Sequence, residues 1–171
     1  AAQALHDAQV QRVALESELA AARLQLLQAQ VEPHFIFNAL ANVRRLLRTD
    51  SAAARTLLAD LLRYLEEALP RLRDERTTLG REAELVRAFL AVHQVRMGPR
   101  LRTEIDVPPE LAGRSVPPMV LLTLVENALK YAVAPREEGG RLQIEAHEVD
   151  GRLRLVVQDD GPGLPVGVEL G

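Results

Sequence analysis

The chain of 171 residues contains no cysteine, which excludes disulfides, thiolate metal sites and a cysteine nucleophile. This absence fits a reducing compartment. No stretch approaches the roughly 20 apolar residues that a membrane-spanning helix needs. The beginning of the chain also lacks the apolar core of a signal peptide. We therefore expect these residues to form a soluble piece of protein.

The chain also has no excess of positive charge. Its formal net charge is −3 at pH 7, its isoelectric point is near 5.9, and Lys130 is its only lysine. We therefore do not expect nucleic acid as a partner. Hydrophobic residues make up 47% of the chain, which is enough to bury the cores of one or two small domains.

The first part of the chain carries a heptad pattern, interrupted only at Arg12. Small or apolar residues recur in alternating steps of three and four at Leu5, Ala8, Leu15, Leu19, Ala22, Leu26, Ala29, Pro33, Ile36, Leu40, Val43 and Leu47. The pattern predicts a helix that forms a homodimer along this stripe, with residues 1–28 as a coiled coil. The alternative is a single amphipathic helix that packs on its own domain.

A second apolar stripe begins after Thr49, Asp50 and Ser51, whose side chains can cap a helix, and it ends at Pro70. Its members are Leu57, Leu58, Leu61, Leu62, Leu65 and Leu69. Two helices joined by a short turn predict an antiparallel hairpin over residues 29–72. Two such hairpins would form a four-helix bundle in a dimer.

The segment 30–38, with the sequence QVEPHFIFN, places His34 after a proline and before two phenylalanines, Phe35 and Phe37. In the heptad register His34 lies off the seam, where its imidazole can meet solvent or a docking domain. Pro33 predicts a helix kink near residues 31–33. The alternative is that a helix begins at this point, with Pro33 in its first turn.

The rest of the chain has a mixed pattern. The charged segment 71–78 has no periodic apolar residues and is the predicted domain boundary and hinge. After it, the sequence predicts helices over 80–97 and 119–133, strands over 101–107, 142–149 and 153–158, and a loop over 108–118. The last two strands flank Asp150 and Gly151, a preferred two-residue hairpin turn.

Two further motifs lie in this half, LVENALKY at 124–131 and VQDDGPG at 157–163. Together with QVEPHFIFN they resemble the sensor histidine kinases of two-component systems, in particular the LytS/YehU-type subgroup. The resemblance implies an α+β fold. An N-terminal helical hairpin forms a dimeric four-helix bundle with a coiled-coil lead-in, and an incomplete α/β sandwich of the GHKL (Bergerat) ATP-binding type follows at 77–171.

The resemblance implies that His34 accepts a phosphoryl group from ATP. Imidazole suits this reaction because it is largely neutral at pH 7 and offers a nitrogen lone pair. Asn38 lies one helical turn after His34, where its amide could orient the ring or a water that attacks phosphohistidine. We expect Phe35 and Phe37 to pack around His34 and fix the helix. The other histidines, His6, His93 and His147, are expected to be structural or exposed.

For the nucleotide, the resemblance implies that Asn127 binds the magnesium ion that bridges the phosphates. Glu126 could support the ion indirectly, and Lys130 could meet a phosphate. Tyr131 replaces a histidine that is frequent in the subgroup, which leaves a polar role at this position open. Thr123 stands where some ATP-hydrolysing relatives carry a glutamate that activates water, so we expect no such base.

In the last motif, the resemblance assigns Asp159 to the adenine amino group. Gly161 and Gly163 would let the backbone turn sharply and approach the nucleotide. Family members continue with a second glycine-rich box and further strands, which we do not find in residues 164–171. We therefore expect histidine kinase activity in the full-length parent and weak or no nucleotide binding by these 171 residues.

The leading hypothesis is a cytoplasmic kinase that phosphorylates His34 and passes the phosphoryl group to an aspartate in the receiver domain of a response regulator. The resemblance also implies an upstream sensory or membrane segment, which could anchor the parent in the inner membrane. The first alternative is a non-catalytic dimeric interaction module. The second is a phosphotransfer or phosphatase protein that uses His34 or Asn38 without ATP.

Overall fold

A computed structural model describes residues 33–71 and 75–163 of the chain. The chain divides into two compact units, Ala1–Leu72 and Arg73–Gly171. The coiled coil predicted for residues 1–28 lies outside the described residues, and so do residues 31 and 32 of the segment 31–33 near which the kink was predicted. In the described residues, no helix is long and apolar enough to cross a membrane.

The first unit contains helices α1 (Pro33–Leu46) and α2 (Ser51–Arg71), which contact each other. The turn between them places the main-chain N–H of Asp50 2.7 Å from the carbonyl oxygen of Leu46. The Asp50 carboxylate then accepts hydrogen bonds from the N–H groups of Ala52 at 3.1 Å and Ala53 at 3.0 Å. These two groups have no partner within the helix, so Asp50 caps the start of α2.

The apolar stripes of the two helices form the core of this unit. The α1 side chains of Ile36, Leu40 and Val43 are buried, whereas Leu47, just beyond α1, is 39% exposed. The buried leucines of α2 are Leu57, Leu58, Leu61 and Leu65. The dimer and the four-helix bundle remain predictions.

Only one of the two phenylalanines beside His34 packs as expected. The ring of Phe35 is buried and meets the ring of Tyr64 edge to face, with 5.2 Å between the centroids. Phe37 is 63% exposed, so the prediction that it fixes the helix by packing is wrong. The two side chains differ because residues 35 and 37 are about 200° apart around a helix.

The second unit consists of short and long elements in the order β1 (Thr77–Thr78), α3 (Leu79–Met97), β2 (Leu101–Asp106), β3 (Ser115–Val116), α4 (Val120–Ala128), β4 (Gly140–Val149) and β5 (Arg152–Asp159). A π-helical turn, Leu129–Val133, continues α4. The predicted helices and strands occur within about two residues of their expected bounds. The predicted loop 108–118 contains strand β3, which pairs antiparallel with β1.

The larger sheet has the strand order β2-β4-β5. Strand β2 is parallel to β4, and β4 is antiparallel to β5. Asp150 and Gly151 connect β4 to β5 with φ angles of 50° and 72°, as the predicted hairpin turn requires. Alternate β4 side chains, Leu142, Ile144 and Ala146, are buried. Helix α3 contacts β2 and α4 contacts β5, so this unit is a layer of helices on a mixed sheet.

His93 on α3 packs its ring against Phe89, with 4.5 Å between the ring centroids. Burial, and to a lesser extent the positive charge of Arg96, lowers the pKa of His93 to about 3. The fold therefore holds the neutral imidazole, whereas the unfolded chain binds a proton below pH 6.5, the ordinary value. The contribution of His93 to stability is present above that pH and is lost as the pH falls toward 3.

We predict that the free energy of unfolding decreases between pH 6.5 and 5 with a His93 contribution of at most about 1.4 kcal/mol per pH unit. His93→Gln should flatten this slope in denaturant titrations, since this window lies mostly above the titration range of carboxylates. His147→Gln, which removes an exposed imidazole, is the matched control. An unchanged slope in His93→Gln would contradict the argument.

Candidate functional site

His34 lies in the first turn of α1 with its imidazole exposed. The amide nitrogen of Asn38 is 3.3 Å from each ring nitrogen, Nδ1 and Nε2. Because the two distances are equal, this contact does not distinguish one ring nitrogen from the other. The neighbouring residues Phe35 and Ile36 are buried on the opposite side of the helix. The structure thus presents the imidazole outward, in contact with Asn38.

The outward face of α1 continues beyond the imidazole. Phe37 and Ala41 are exposed, and they are followed on the same helix by the exposed arginines Arg44 and Arg45. Basic side chains in the last turn of a helix interact favourably with its C-terminal carbonyl groups. This face combines an imidazole, an aromatic ring and positive charge.

In the second unit, Asn127 lies in the last turn of α4 and is exposed, and Glu126 beside it is half-buried. Lys130 and Tyr131 follow on the same outward side. The Lys130 ammonium lies 5.1 Å from the centroid of the Tyr131 ring, and that ring is 66% exposed. Spacings of three and four residues place these side chains beside Asn127.

Thr123 lies one turn before Asn127 and is exposed. Its hydroxyl donates a hydrogen bond to the carbonyl oxygen of Met119 at 2.8 Å. The hydroxyl proton is therefore hydrogen-bonded to the main chain one turn earlier.

The helix that carries Asn127 widens directly after it. The N–H of Ala134 donates to the carbonyl oxygen of Leu129 at 2.8 Å, which closes a π-helical turn over Leu129–Val133. Turns of this kind occur frequently at functional sites. The sequence predicted one regular helix over 119–133. The periodicity of apolar residues does not reveal the single residue that is inserted into a helical turn to make it π-helical.

The last motif, VQDDGPG, contacts the π turn. Asp159 ends β5, and its carboxylate accepts a hydrogen bond from the N–H of Gly161 at 2.9 Å. A Cβ atom placed on Gly161 would lie 2.5 Å from the Cβ of Ala132. Gly163 has φ 74°, which favours glycine. The loop with the glycines therefore packs directly against the turn that follows Asn127.

Asp160 connects the last motif to the segment that follows the π turn, a role that the sequence did not predict. Its carboxylate accepts hydrogen bonds from the Arg141 N–H and the Arg136 guanidinium, both at 2.9 Å. Its own carbonyl oxygen accepts another bond from Arg136 at 2.8 Å. The bond from the Arg141 N–H, and then the charge of Arg136, lower the pKa of Asp160. Nothing in the sequence links two residues that are 24 positions apart.

The described residues contain no group of three or more His, Cys, Asp or Glu side chains that could hold a metal ion. Asn127 and Glu126 nevertheless offer hard oxygen donors. Magnesium accepts such donors in small number and takes its remaining ligands from water and substrate phosphates. The residues present therefore fit a magnesium ion that is held jointly with a nucleotide.

Comparison with known families finds one match in the first part of the chain and another in the last part. The model of a family described as histidine kinase matches residues 22–101, which include His34. The model of the histidine kinase-, DNA gyrase B-, and HSP90-like ATPases matches residues 118–169, which include Asn127 and Asp159. The chain belongs to the histidine kinase family. Its second half accordingly belongs to a family of ATP-binding domains.

Curated relatives of this histidine kinase chain are named as sensors. It is 36% identical over 143 residues to the sensor protein LytS of Staphylococcus haemolyticus, covering 84% of this chain and 24% of the relative. It is 35% identical over 161 residues to the sensor protein LytS of Enterococcus faecalis, covering 94% and 27%. The chain therefore spans about a quarter of the length of these relatives.

Two further comparisons carry more specific names. The relative from Staphylococcus aureus strain MRSA252 is named a sensor histidine kinase/phosphatase and is 35% identical over 144 residues, covering 84% of this chain and 25% of the relative. A solved histidine kinase domain of the blue-light activated kinase from Erythrobacter litoralis EL346 aligns with 90% of this chain and 74% of that chain. Its TM-score is 0.38 at 20% identity. This similarity is too low to support an argument about geometry.

We predict that Gly161→Ala in this histidine kinase chain destabilises the second unit by about 1–3 kcal/mol, because the added methyl group overlaps Ala132. The loop should shift away from the π turn, and in the full-length kinase we expect nucleotide affinity to fall about tenfold or more. Denaturant unfolding and titration with a fluorescent nucleotide measure the two effects. Gly113→Ala is the control, since a Cβ there meets nothing within 4 Å. Wild-type stability in Gly161→Ala would show that the contact is not tight.

Proposed function

We propose that this chain is the catalytic portion of a LytS-type sensor histidine kinase that phosphorylates His34 from ATP. The phosphoryl group then passes to an aspartate of a response regulator. The observation that carries the proposal is that an exposed imidazole lies within the histidine kinase match, while the Asn127 and Asp159 motifs pack together in one unit and lie within the ATPase match.

In the proposed reaction, a ring nitrogen of His34 attacks the terminal phosphorus of ATP. A nitrogen–phosphorus bond forms, the bond from that phosphorus to the bridging oxygen breaks, and ADP leaves with the electron pair. The imidazole then loses its ring proton to water. Phosphoryl transfer requires mainly positioning and charge neutralisation, so the absence of a base from the surroundings described for His34 is no obstacle.

The outward face of α4 would receive the phosphates. Asn127, supported by Glu126, would hold a magnesium ion, which neutralises the charge of the phosphates. The Lys130 ammonium, one turn after Asn127, would contact a phosphate oxygen. No group of acidic side chains competes for the ion in the described residues.

The loop after β5 would receive the base. The Asp159 carboxylate would accept a hydrogen bond from the adenine amino group, and it retains capacity for this bond beside the one from Gly161. Gly161 and Gly163 would let the backbone approach the nucleotide. A hinge between the two units would allow ATP to reach His34 in the same subunit or in a partner.

The partners follow from the same proposal. Homologous sensor kinases imply a response regulator, and the exposed face with His34, Phe37 and Arg44 would meet its receiver domain. The N-terminal helices would form the homodimer. An upstream sensory or membrane segment of the full-length kinase would control the reaction, which would take place on the cytoplasmic side of the membrane.

A phosphatase activity is the second candidate function. The contact of the Asn38 amide with the His34 ring favours it, because an amide at this distance can hold a water next to phosphohistidine. The name sensor histidine kinase/phosphatase of one relative supports the same idea. A non-catalytic interaction module is the outcome expected if neither activity is found.

We predict that the full-length kinase, incubated with magnesium and γ-labelled ATP, acquires label that is stable to base and labile to acid. His34→Gln should abolish this label, because glutamine offers no nucleophilic nitrogen. His147→Gln, which removes an exposed histidine in the other unit, should retain it. Label that persists in His34→Gln would disprove the assignment of the acceptor.

We predict that Asn38→Ala lowers the rate of autophosphorylation or of phosphohistidine loss by about tenfold, the scale of one positioned hydrogen bond. Time courses of labelling, and of label loss after removal of ATP, separate the two effects. Asn42→Ala is the matched control, because Asn42 accepts a hydrogen bond from Arg45 at 3.1 Å on the same helix without contacting His34. If both rates stay at the wild-type level in Asn38→Ala, the orienting role is wrong.

A further inference from the structure

The side chain of Glu82 is completely buried, and it is the only charged side chain in the described ranges that is. It lies in the first turn of α3. One carboxylate oxygen accepts a hydrogen bond from the N–H of Met119 at 3.0 Å, and the other accepts one from the N–H of Leu121 at 3.2 Å. Burial of a charge costs several kcal/mol unless hydrogen bonds compensate, so this placement requires a reason.

The reason lies at the beginning of α4. Met119 immediately precedes this helix with φ 64° and ψ 3°, a left-handed conformation that is uncommon outside glycine, and no side-chain hydrogen bond from Met119 caps the helix. The first N–H groups of any helix lack partners within it. Glu82 supplies these partners from another helix, and its negative charge suits the positive end of α4.

Hydrogen bonds at the start of α3 fix the position of the Glu82 carboxylate. The Thr78 side chain caps α3 by accepting from the N–H of Arg81 at 3.4 Å. The N–H of Leu79 donates to the carbonyl oxygen of Arg114 at 2.9 Å, and the N–H of Gly80 donates to the carbonyl oxygen of Ala112 at 2.8 Å. The start of α3 is thereby held by the segment between β2 and β3, and Glu82 is held with it.

Helix α4 is a short rigid element that runs from the N–H groups bound by Glu82 to Asn127. Helix α4 has nine residues, so it is about 13 Å long. A helix is stiff over this length, and a rotation or slide at its first residue displaces its last turn. The same two hydrogen bonds connect the part of the chain matched by the histidine kinase family with the part matched by the ATPase family.

We propose that Glu82 is a positioning residue for Asn127, and through Asn127 for magnesium-dependent nucleotide binding. The inference rests on the proposed function, in which Asn127 holds the ion. Glu82 does not contact the nucleotide in this proposal. It fixes the rotation of α4 about its axis and the position of α4 along that axis, so that the amide of Asn127 meets the ion and the phosphates.

The test compares Glu82→Gln with wild type in the full-length kinase. Glutamine keeps the size of the side chain, but its NH₂ group must face one of the two N–H donors, so one hydrogen bond is replaced by a repulsive contact. We expect the affinity for ADP in the presence of magnesium to fall about tenfold or more. The affinity for ADP in EDTA should change less than about twofold, because the adenine contacts remain.

A purely structural role makes a different prediction. Val86→Ala truncates another fully buried side chain of α3 and is the control for lost stability. It should lower the melting temperature without changing the ratio of the two ADP affinities. If Glu82→Gln behaves in the same way, Glu82 only stabilises the fold and the proposal is wrong. If Glu82→Gln does not fold, Glu82→Asp replaces it with the same expectation, because it keeps the charge but shortens the reach.

Asn127→Ala separates this proposal from the proposed function. If Asn127→Ala leaves the magnesium dependence of ADP binding intact, the assignment of Asn127 fails and the role of Glu82 fails with it. If Asn127→Ala abolishes the dependence and Glu82→Gln preserves it, only the positioning role is refuted. Loss of the dependence in both variants supports both statements.

Discussion

The start of α4 presents main-chain N–H groups inside the protein, and these must find acceptors. A buried carboxylate on a neighbouring helix, that of Glu82, provides them. Much of the second unit depends on this arrangement, because α4 carries Asn127 in its last turn, ends at Ala128 and continues into the π turn against which the glycine loop packs. The hydrogen bonds to this buried carboxylate therefore fix the start of the helix whose last turn presents Asn127 at the surface.

The two ends of the candidate nucleotide site are held together by contacts of different kinds. Gly161 approaches Ala132 so closely that no side chain fits between them. Asp160 then receives hydrogen bonds from Arg136 and Arg141, which follow the π turn in the chain. The first contact is steric and the second is electrostatic, and both join the motif around Asn127 to the motif around Asp159. A displacement of either motif would disturb the other.

The first unit has a simpler organisation. A single apolar stripe is buried on α1, and the opposite side leaves His34 and Phe37 exposed. The periodicity of the sequence was sufficient to predict that stripe and the outward position of His34. It did not predict the exposure of Phe37, because aromatic residues are usually buried and the sequence does not state which sides of a helix are covered. The turn at Asp150 and Gly151 was predicted correctly, since it depends on local backbone conformation alone.

The sequence by itself determined the elements with local causes: the helices, the long strands, the hairpin turn and the three motifs whose order indicates a histidine kinase. The tertiary structure decided what depends on residues far apart in the chain. It brought Glu82 to Met119, Asp160 to Arg136 and Gly161 to Ala132, and it paired two-residue strands that carry almost no pattern. Such contacts arise from the packing of whole elements, and packing leaves no regular spacing in the sequence.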